Sequence, residues 1–318
     1  MLKDLLEQKN CFKLICGAGN ENLDEVEKLV ALYSAVGCRF FDFAASDEVL
    51  TAAQRGLLWG LDFSVPKELQ KDYHFCVSIG TKNDAHFNKA RIDAEKCVGC
   101  GNCVEICPQG AINAKCKVQS AKCIGCLKCE FVCKYDAIEI YQCNKPFSLS
   151  AFQLFNLSCI ELHVSDADSA LEQWEELCSQ DYEMLSICIG RKVFSDEKIA
   201  ELLKKMIAQR PPYTVIVQAD GIPMSGIEDD FETTLPAVEA GLFIKSLNLP
   251  IYLILSGGTN SKTAQLCKEK GLDVNGIAFG SYARKIVRKY IEREDFFENK
   301  TLFYEACSVA KKLLNSLN

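Results

Sequence analysis

The chain has 318 residues, of which 48% are hydrophobic and 25% charged, and its net charge is −7. This composition is typical of a folded globular protein, and an acidic balance without a basic stripe argues against nucleic acid as a partner. Apolar stretches are broken by glycine or charge after about 7–9 residues, whereas a membrane span needs roughly 20. We therefore expect no membrane span. Because the chain has 19 cysteines and an early charged stretch instead of a secretory leader, we expect a reducing, cytoplasmic location.

Short apolar runs alternate along the chain with amphipathic helical patterns. Eight runs are predicted to be strands: Phe12–Cys16, Cys38–Phe43, Phe75–Ile79, Cys159–His163, Met184–Ile189, Tyr213–Gln218, Ile251–Ser256 and Gly276–Phe279. Four residues with N-cap character stand just before helical patterns: Asn22, Ser46, Ser165 and Ser195. Alternation of strand and helix predicts a parallel sheet, and eight strands are the number that closes a (β/α)8, or TIM, barrel. An open doubly wound α/β sheet is the alternative.

Two cysteine runs with identical spacing lie between the third and fourth predicted strands. CVGCGNCVEIC and CIGCLKCEFVC both read C-x2-C-x2-C-x3-C, the bacterial ferredoxin pattern for two [4Fe–4S] clusters. Gly99 and Gly101 ease the turns of the first run. In this pattern the fourth cysteine of each run ligates the other run's cluster. The predicted ligand sets are therefore Cys97, Cys100, Cys103 and Cys133 for one cluster, and Cys123, Cys126, Cys129 and Cys107 for the other.

Zinc is the competing interpretation of these cysteines. Structural zinc sites pair two CxxC knuckles and need four ligands, so two triple-cysteine loops with a lone fourth cysteine favour iron–sulfur.

The two runs form an internal repeat, since EKCVGCGNCVEICPQGAI matches AKCIGCLKCEFVCKYDAI. We predict that residues 91–143 form a ferredoxin-like insert and that residues 1–90 and 144–318 together form the barrel-like domain. The insert leaves the C-terminal end of the third strand, the face where such barrels hold their chemistry. We therefore expect the clusters to lie over the barrel mouth.

Glycine-rich turns follow the seventh and eighth predicted strands. Gly257 and Gly258 stand in YLILSGGTN, and Gly280 and Ser281 in GIAFGSYARK. Turns at these two places form the usual phosphate cradle of (β/α)8 barrels, which predicts FMN or another phosphate-bearing ligand. Tight turns without a ligand are the alternative. The segment GAGNEN is a weak dinucleotide motif, because Asn22 occupies its third glycine position.

Most of the other cysteines and histidines are given structural roles. Five cysteines on or beside strands are expected to be small buried hydrophobes: Cys16, Cys38, Cys76, Cys159 and Cys188. Cys116 and Cys143 flank the cluster runs and are the best candidates for a reactive or substitute thiol, although a structural role is favoured. His163 ends the fourth strand and can point into the mouth, as can Asp220 after the sixth; structural roles are favoured for both.

Several segments together resemble the light-dependent period protein family of cyanobacteria. They are FKLICGAGNENLDEV, the double cysteine run, VIVQADGIPMSG, YLILSGGTN and GIAFGSYARK, and they extend over nearly the whole chain. That family is described as iron–sulfur proteins that sense the cellular redox state and pass it to the circadian clock. The resemblance implies the same role here, with the eight cysteines of the two runs as cluster ligands.

Two functions follow from these patterns. The first is a non-enzymatic electron relay or redox sensor whose state is read by a redox or signalling partner protein. The resemblance and the lack of an evident acid–base set at the mouth favour it. The alternative is an FMN-dependent oxidoreductase that receives electrons from its own ferredoxin module.

Overall fold

Eight parallel strands close into a barrel, as the strand–helix alternation predicts. In the computed structural model, which describes residues 1–64, 72–82, 84–143, 155, 157–222 and 228–317, the barrel follows chain order. Its strands are β1 (Cys11–Gly17), β2 (Phe40–Ala44), β3 (His74–Gly80), β6 (Cys159–His163), β7 (Leu185–Gly190), β8 (Val215–Asp220), β9 (Tyr252–Ser256) and β10 (Gly276–Phe279). The first strand pairs with the last, Cys11 opposite Gly276. This pairing excludes the open sheet.

Most helices surround the barrel, whereas the first plugs its base and the short fourth and fifth lie in the cysteine-rich segment. Their bounds are α1 (Leu2–Glu7), α2 (Leu23–Ala35), α3 (Asp47–Ser64), α4 (Asn102–Ile106), α5 (Lys128–Val132), α6 (Ala167–Cys178), α7 (Asp196–Ile207), α8 (Phe231–Ser246), α9 (Thr263–Lys270), α10 (Ser281–Ile291) and α11 (Lys300–Asn315). None of those in the described ranges is long and apolar enough to cross a bilayer.

Helix starts follow the predicted caps, with one correction. Ser195 caps α7, its hydroxyl accepting the Lys198 amide. The cap of α6 is Asp166, whose carboxylate accepts the Ser169 amide at 2.9 Å, and not the predicted Ser165. The reason is that Thr81 holds Ser165 in another position. The Thr81 hydroxyl lies 2.8 Å from the Ser165 hydroxyl and accepts a hydrogen bond from the Ser165 amide at 2.9 Å.

Residues that alternate along the strands fill the barrel interior in layers. The lowest layer is apolar and is closed from below by α1, whose Leu2, Leu5 and Leu6 pack against Cys11 and Phe40. The layer above it is polar and fully buried: Lys13, Asp42, Ser78, Glu161, Ser186 and Gln218. Outward-facing side chains of the same strands, such as Phe12 and Leu14, pack under the helices in the main core. The interior is therefore apolar at its base and polar toward its mouth.

The cysteine-rich segment leaves the barrel after β3 on a two-stranded stem. Strand β4 (Asn88–Ile92) pairs antiparallel with β5 (Ile138–Gln142), so that the segment starts and ends side by side. Its own apolar core is small, with five buried residues: Ala90, Cys103, Ile112, Cys129 and Ile138. A module with so little buried apolar surface needs further stabilisation from metal ligation or from the barrel.

Buried polar contacts hold this insert against the barrel. The Lys89 ammonium, on β4, donates to the carbonyls of Gly19, Ser120 and Cys123 at 2.5, 3.0 and 2.8 Å. On the other side Arg288 of α10 donates to the carbonyl of Pro108. The insert is thus fixed over the loop after β1 and beside the helix after β10.

Because α1 closes the apolar base, we expect Leu6→Ala to destabilise the whole barrel. Leu6 is fully buried, and truncation of such a leucine costs about 2–5 kcal/mol. Urea unfolding followed by circular dichroism measures the loss. Leu58→Ala is the matched control, since Leu58 is 66% exposed on α3 and its truncation is expected to change stability by less than about 0.5 kcal/mol. Equal shifts in the two variants would show that α1 is not part of the cooperative fold.

Candidate functional site

The eight cysteines of the two runs line two separate cavities in the insert. One cavity is bounded by Cys97, Cys100, Cys103 and Cys133, and the other by Cys107, Cys123, Cys126 and Cys129. Each therefore contains three cysteines of one run and the fourth cysteine of the other, the grouping that the ferredoxin pattern predicts. Four run cysteines in each cavity are the donor set that a [4Fe–4S] cluster requires, so the residues present fit that group.

Backbone geometry explains the shape of both runs. Gly99 and Gly101 have φ of 71° and 83°, which glycine adopts without strain, and Gly125 matches the former at 66°. Leu127 takes the place of Gly101 in the second run and still has φ of 63°, a conformation unfavourable for leucine. The tight loop in front of the short helix is therefore maintained even where the sequence disfavours it.

Main-chain amides donate to two of the sulfurs, and burial raises the pKa of Cys103 and Cys129. The amides of Ala90 and Ala111 donate to the sulfurs of Cys123 and Cys107 at 3.4 and 3.3 Å. Burial, together with the neighbouring Cys116, raises the pKa of Cys103 to about 11, and burial does the same for Cys129. Since iron binds thiolates, loading of these sites must release protons.

One residue lines both the second cysteine cavity and the cavity at the barrel mouth. Ile124, between Cys123 and Cys126, lines both that cavity and the cavity at the C-terminal end of the strands. The insert therefore lies over the mouth, as its position after β3 predicts.

The four predicted phosphate-binding residues come together in the mouth. Gly257, Gly258, Gly280 and Ser281 all line one cavity of about 100 Å³. Gly257 and Gly258 have φ of 71° and 92°, and a Cβ on Gly257 would overlap the Asp220 carboxylate. Close packing thus accounts for both glycines, whether or not a ligand binds.

A helix N-terminus and an arginine paired with a glutamate lie at the same turns. Helix α10 begins at Ser281 with no side-chain cap on its first amides. The Arg284 guanidinium lines the cavity and is held by Glu25 at 2.6 Å and by the Cys16 carbonyl at 2.7 Å. An open helix N-terminus beside a buried guanidinium favours an anionic group.

Below the mouth, a buried lysine binds two carboxylates. The Lys13 ammonium lies 2.8 Å from Asp42 Oδ2, 2.6 Å from Glu161 Oε2 and 2.9 Å from Gln218 Oε1. Burial by itself lowers the pKa of Lys13, but the two carboxylates outweigh it and hold that pKa well above its usual value. The pKa of Asp42 is raised to about 6, because its burial outweighs the attraction of Lys13.

Two histidines and an aspartate extend this network into the mouth. His163 Nε2 lies 3.3 Å from Glu161 Oε1, and its Nδ1 lies 3.2 Å from His86 Nδ1 and 3.5 Å from Asp84 Oδ2. Burial lowers the pKa of His163, but the bond to Glu161 and the charge of Asp84 outweigh this effect and raise it to about 9. The expectation that the mouth lacks an acid–base set is therefore wrong.

Sequence reasoning missed most of this network, although part of it left a signal. Lys13, Glu161 and Gln218 are polar residues in the middle of apolar strands, at inward positions of the alternation. Asp84 lies just before a short turn (Ala85–Phe87) between β3 and β4, and His86 lies within it. No sequence pattern distinguishes these two from ordinary loop residues.

Two groups of cysteines outside the runs were singled out by the sequence. All five that were expected to be small buried hydrophobes are buried. Cys116 lines the cavity of the first set as a fifth thiol, and Cys143 lies at the end of the stem.

Fold and cysteine geometry together define an iron–sulfur protein built on a (β/α)8 barrel. The model of the 4Fe-4S binding domain matches residues 90–113 and 117–139. The model described as the Light dependent period A C-terminal domain matches residues 152–316, more than half of the chain. The chain belongs to the light dependent period A family.

A curated relative carries the similarity beyond the C-terminal domain. Light dependent period A of Synechococcus elongatus is 29% identical over 328 aligned positions, covering 91% of this chain and 84% of that protein. The similarity therefore extends well beyond residues 152–316.

Solved structures are much more distant. Tryptophan synthase from M. tuberculosis aligns over 100% of this chain and 99% of that chain at 8% identity, with a TM-score of 0.46. An aldolase from Escherichia coli K12 aligns over 99% and 94% at 8% identity, with a TM-score of 0.49. At these values, neither neighbour bears on what this chain binds or catalyses.

Removal of the buried ammonium should be costly. Lys13→Met leaves Asp42 and Glu161 buried together without their counter-charge, and we expect a loss of about 3–5 kcal/mol in the free energy of unfolding. Anaerobic urea titration measures it. The control is Lys198→Met, which breaks an exposed pair with Glu201 and should cost at most about 1 kcal/mol.

The double variant Lys13→Met/Glu161→Gln should recover part of the loss, since it removes one of the two unpaired charges. A Lys13→Met variant as stable as the Lys198 control would contradict the assignment of Lys13 as the interior counter-ion.

Proposed function

We propose that the protein holds two [4Fe–4S] clusters and acts as an electron relay or redox sensor whose state a partner protein reads. The observation that carries this proposal is the pair of four-thiol cavities, one of which shares Ile124 with the barrel mouth. When bound, a [4Fe–4S] cluster accepts and releases one electron at a time. Similarity to light dependent period A supports a sensing role connected with circadian timing.

Residues of the insert have different roles in such a relay. Thiolates of the two runs hold the metal, and the amides of Ala90 and Ala111 stabilise negative charge on sulfur. The first cavity is the outer one, since Cys100 is exposed to solvent, whereas Ile124 places the second against the mouth. This order gives an electron an outer entry and an inner destination.

A protein partner is supported by the exposed apolar side chains around the insert. Phe131 is 93% exposed, and four further apolar residues are at least 40% exposed: Val98, Ile106, Leu127 and Tyr135. Such side chains close to a metal site favour transient docking of a redox or signalling protein. The net charge of −7 makes nucleic acid an unfavourable partner. All 19 cysteines are free thiols, which supports a reducing location such as the cytoplasm.

The FMN-dependent oxidoreductase is the second candidate, and one observation favours it. Gly257, Gly258, Gly280 and Ser281 line a single cavity beneath the insert. Its volume of about 100 Å³ stands against FMN, because pockets for ligands of that size have about 300–1,000 Å³. We therefore place the relay first.

Iron counting in paired variants tests the two ligand sets. We expect about eight iron atoms per chain in the anaerobic wild type and about four in Cys133→Ala. Cys97→Ala/Cys133→Ala should also retain about four, because both ligands belong to one cluster, whereas Cys129→Ala/Cys133→Ala should retain almost none. Cys116→Ala is the matched control: its thiol lines the first cavity but lies outside both sets, so iron should stay at about eight.

The reverse result for the two double variants would overturn the crossed ligand sets. Zinc in place of iron and acid-labile sulfide in the wild type would overturn the clusters themselves. Acid release of one flavin per chain from the same preparation would replace the relay with the oxidoreductase.

A further inference from the structure

Two imidazole nitrogens and one carboxylate converge at the rim of the barrel mouth. Nδ1 of His86 lies 3.2 Å from Nδ1 of His163 and 2.8 Å from Asp84 Oδ1, while Asp84 Oδ2 lies 3.5 Å from His163 Nδ1. The three side chains come from the end of β6 and the turn after β3, so the barrel itself brings them together. None of them belongs to the cysteine sites.

Hydrogen bonds satisfy this arrangement only with crowding. If both Nδ1 atoms carry a hydrogen, His86 donates to Asp84 Oδ1 at 2.8 Å and His163 faces Asp84 Oδ2 at 3.5 Å, but the two N–H groups then lie 3.2 Å apart. A cation between the three groups avoids this crowding, because both imidazoles then offer a lone pair in place of a hydrogen.

Asp84 supplies independent evidence for a ligand. Its residue is 97% buried, since only 3% of its surface is exposed, and Oδ2 accepts no hydrogen bond from any described residue. Oδ1, by contrast, is fixed by the His86 amide at 3.0 Å. The His163 ring, 3.5 Å from Oδ2, is its ionic neighbour, so this buried oxygen is paired by charge but not by a hydrogen bond and is open to a metal ion.

The distances match a small divalent ion. Zn–N and Zn–O bonds of about 2.0–2.1 Å in a tetrahedral site separate neighbouring ligands by about 3.3 Å. The two Nδ1 atoms lie 3.2 Å apart, and the carboxylate approaches them through its two oxygens, Oδ1 at 2.8 Å from His86 and Oδ2 at 3.5 Å from His163. All three separations lie around that value.

The surroundings also match a metal centre. Ligating histidines commonly donate their other ring nitrogen to a carboxylate. His163 does so through Nε2, which faces Glu161 Oε1 at 3.3 Å, and Glu161 is held in turn by Lys13 and by Ser186. His86 and His163 both line the mouth cavity, so a fourth coordination position would open into it.

We propose that Asp84, His86 and His163 form a mononuclear site for a divalent transition-metal ion, with an open coordination position facing the barrel mouth. Three protein ligands with an open fourth position are typical of metal sites that bind or activate a ligand, whereas structural sites are closed. The site is independent of the two cysteine sets, and its own metal is distinguishable from cluster iron.

Zinc binding to the cluster-loaded protein tests this site. Chains with full iron and sulfide content are dialysed anaerobically against buffered Zn²⁺, and zinc and iron are then measured separately by mass spectrometry. We expect about one zinc per wild-type chain and at least a tenfold weaker affinity in His86→Ala, with iron unchanged. His86 is the better target, since its side chain is 22% exposed and its removal disturbs packing less than loss of His163.

His74→Ala is the matched control. His74 lies at the opposite end of the barrel, at the start of β3, where its ring contacts Ser158 at 3.0 Å. Its variant should bind zinc as the wild type does. X-ray absorption of the zinc-loaded wild type should show only nitrogen and oxygen ligands at about 2.0–2.1 Å.

Three results would overturn the proposal: no zinc uptake by the wild type, equal affinity in the His86 variant, or sulfur in the zinc coordination shell. Any of them would leave the three side chains as a hydrogen-bonded cluster that supports Glu161.

Discussion

One buried ammonium group organises the interior of this barrel. An eight-stranded parallel barrel must fill its own centre with side chains, and here the central layer is built around Lys13. Its charge holds Asp42 and Glu161 in a region that would otherwise exclude them. Glu161 in turn faces His163, and through it the rim of the mouth. Lys13 in the first strand therefore stabilises the charged groups that lead up to the mouth.

The base of the barrel, by contrast with the charged layer above it, is apolar. Helix α1 and the apolar first residues of the strands close that end, so the charged layer is open only toward the insert. Because Lys13, Asp42 and Glu161 are buried between an apolar base and a covered mouth, their charges are weakly screened and interact strongly. The insert thus completes an enclosure that the barrel begins.

The fold was largely predictable because its signals are local. Strands of a parallel barrel are buried on both faces and therefore appear as continuous apolar runs. Predicted starts such as Cys38 and Tyr213 lie two residues early, because apolar or aromatic residues also precede the strands. The cysteine sets were equally accessible, since their spacing alone determines which thiols can surround one cube. Each strand run and the pair of cysteine runs can be recognised within a few dozen consecutive residues.

The mouth was not predictable in the same way. Lys13 and Glu161 are 148 positions apart, and their contact exists only because the barrel closes. Asp84 and His86 are ordinary loop residues until β6 brings His163 beside them. Leu127 shows the reverse, a local preference overruled by the loop that the second run must form. Long-range charge pairing therefore accounts for what the sequence could not reveal.

The stem lysine gives the insert and the mouth a common mechanical element. The Lys89 ammonium grips carbonyls on two sides at once: that of Gly19, whose residue forms part of the mouth wall, and that of Cys123, which begins the second cysteine run. A backbone hydrogen bond from the Glu21 amide to the Ala121 carbonyl, at 3.1 Å, joins the loop after β1 to the same part of the insert. A shift of the backbone at Cys123 therefore acts directly on that loop, which forms one wall of the mouth.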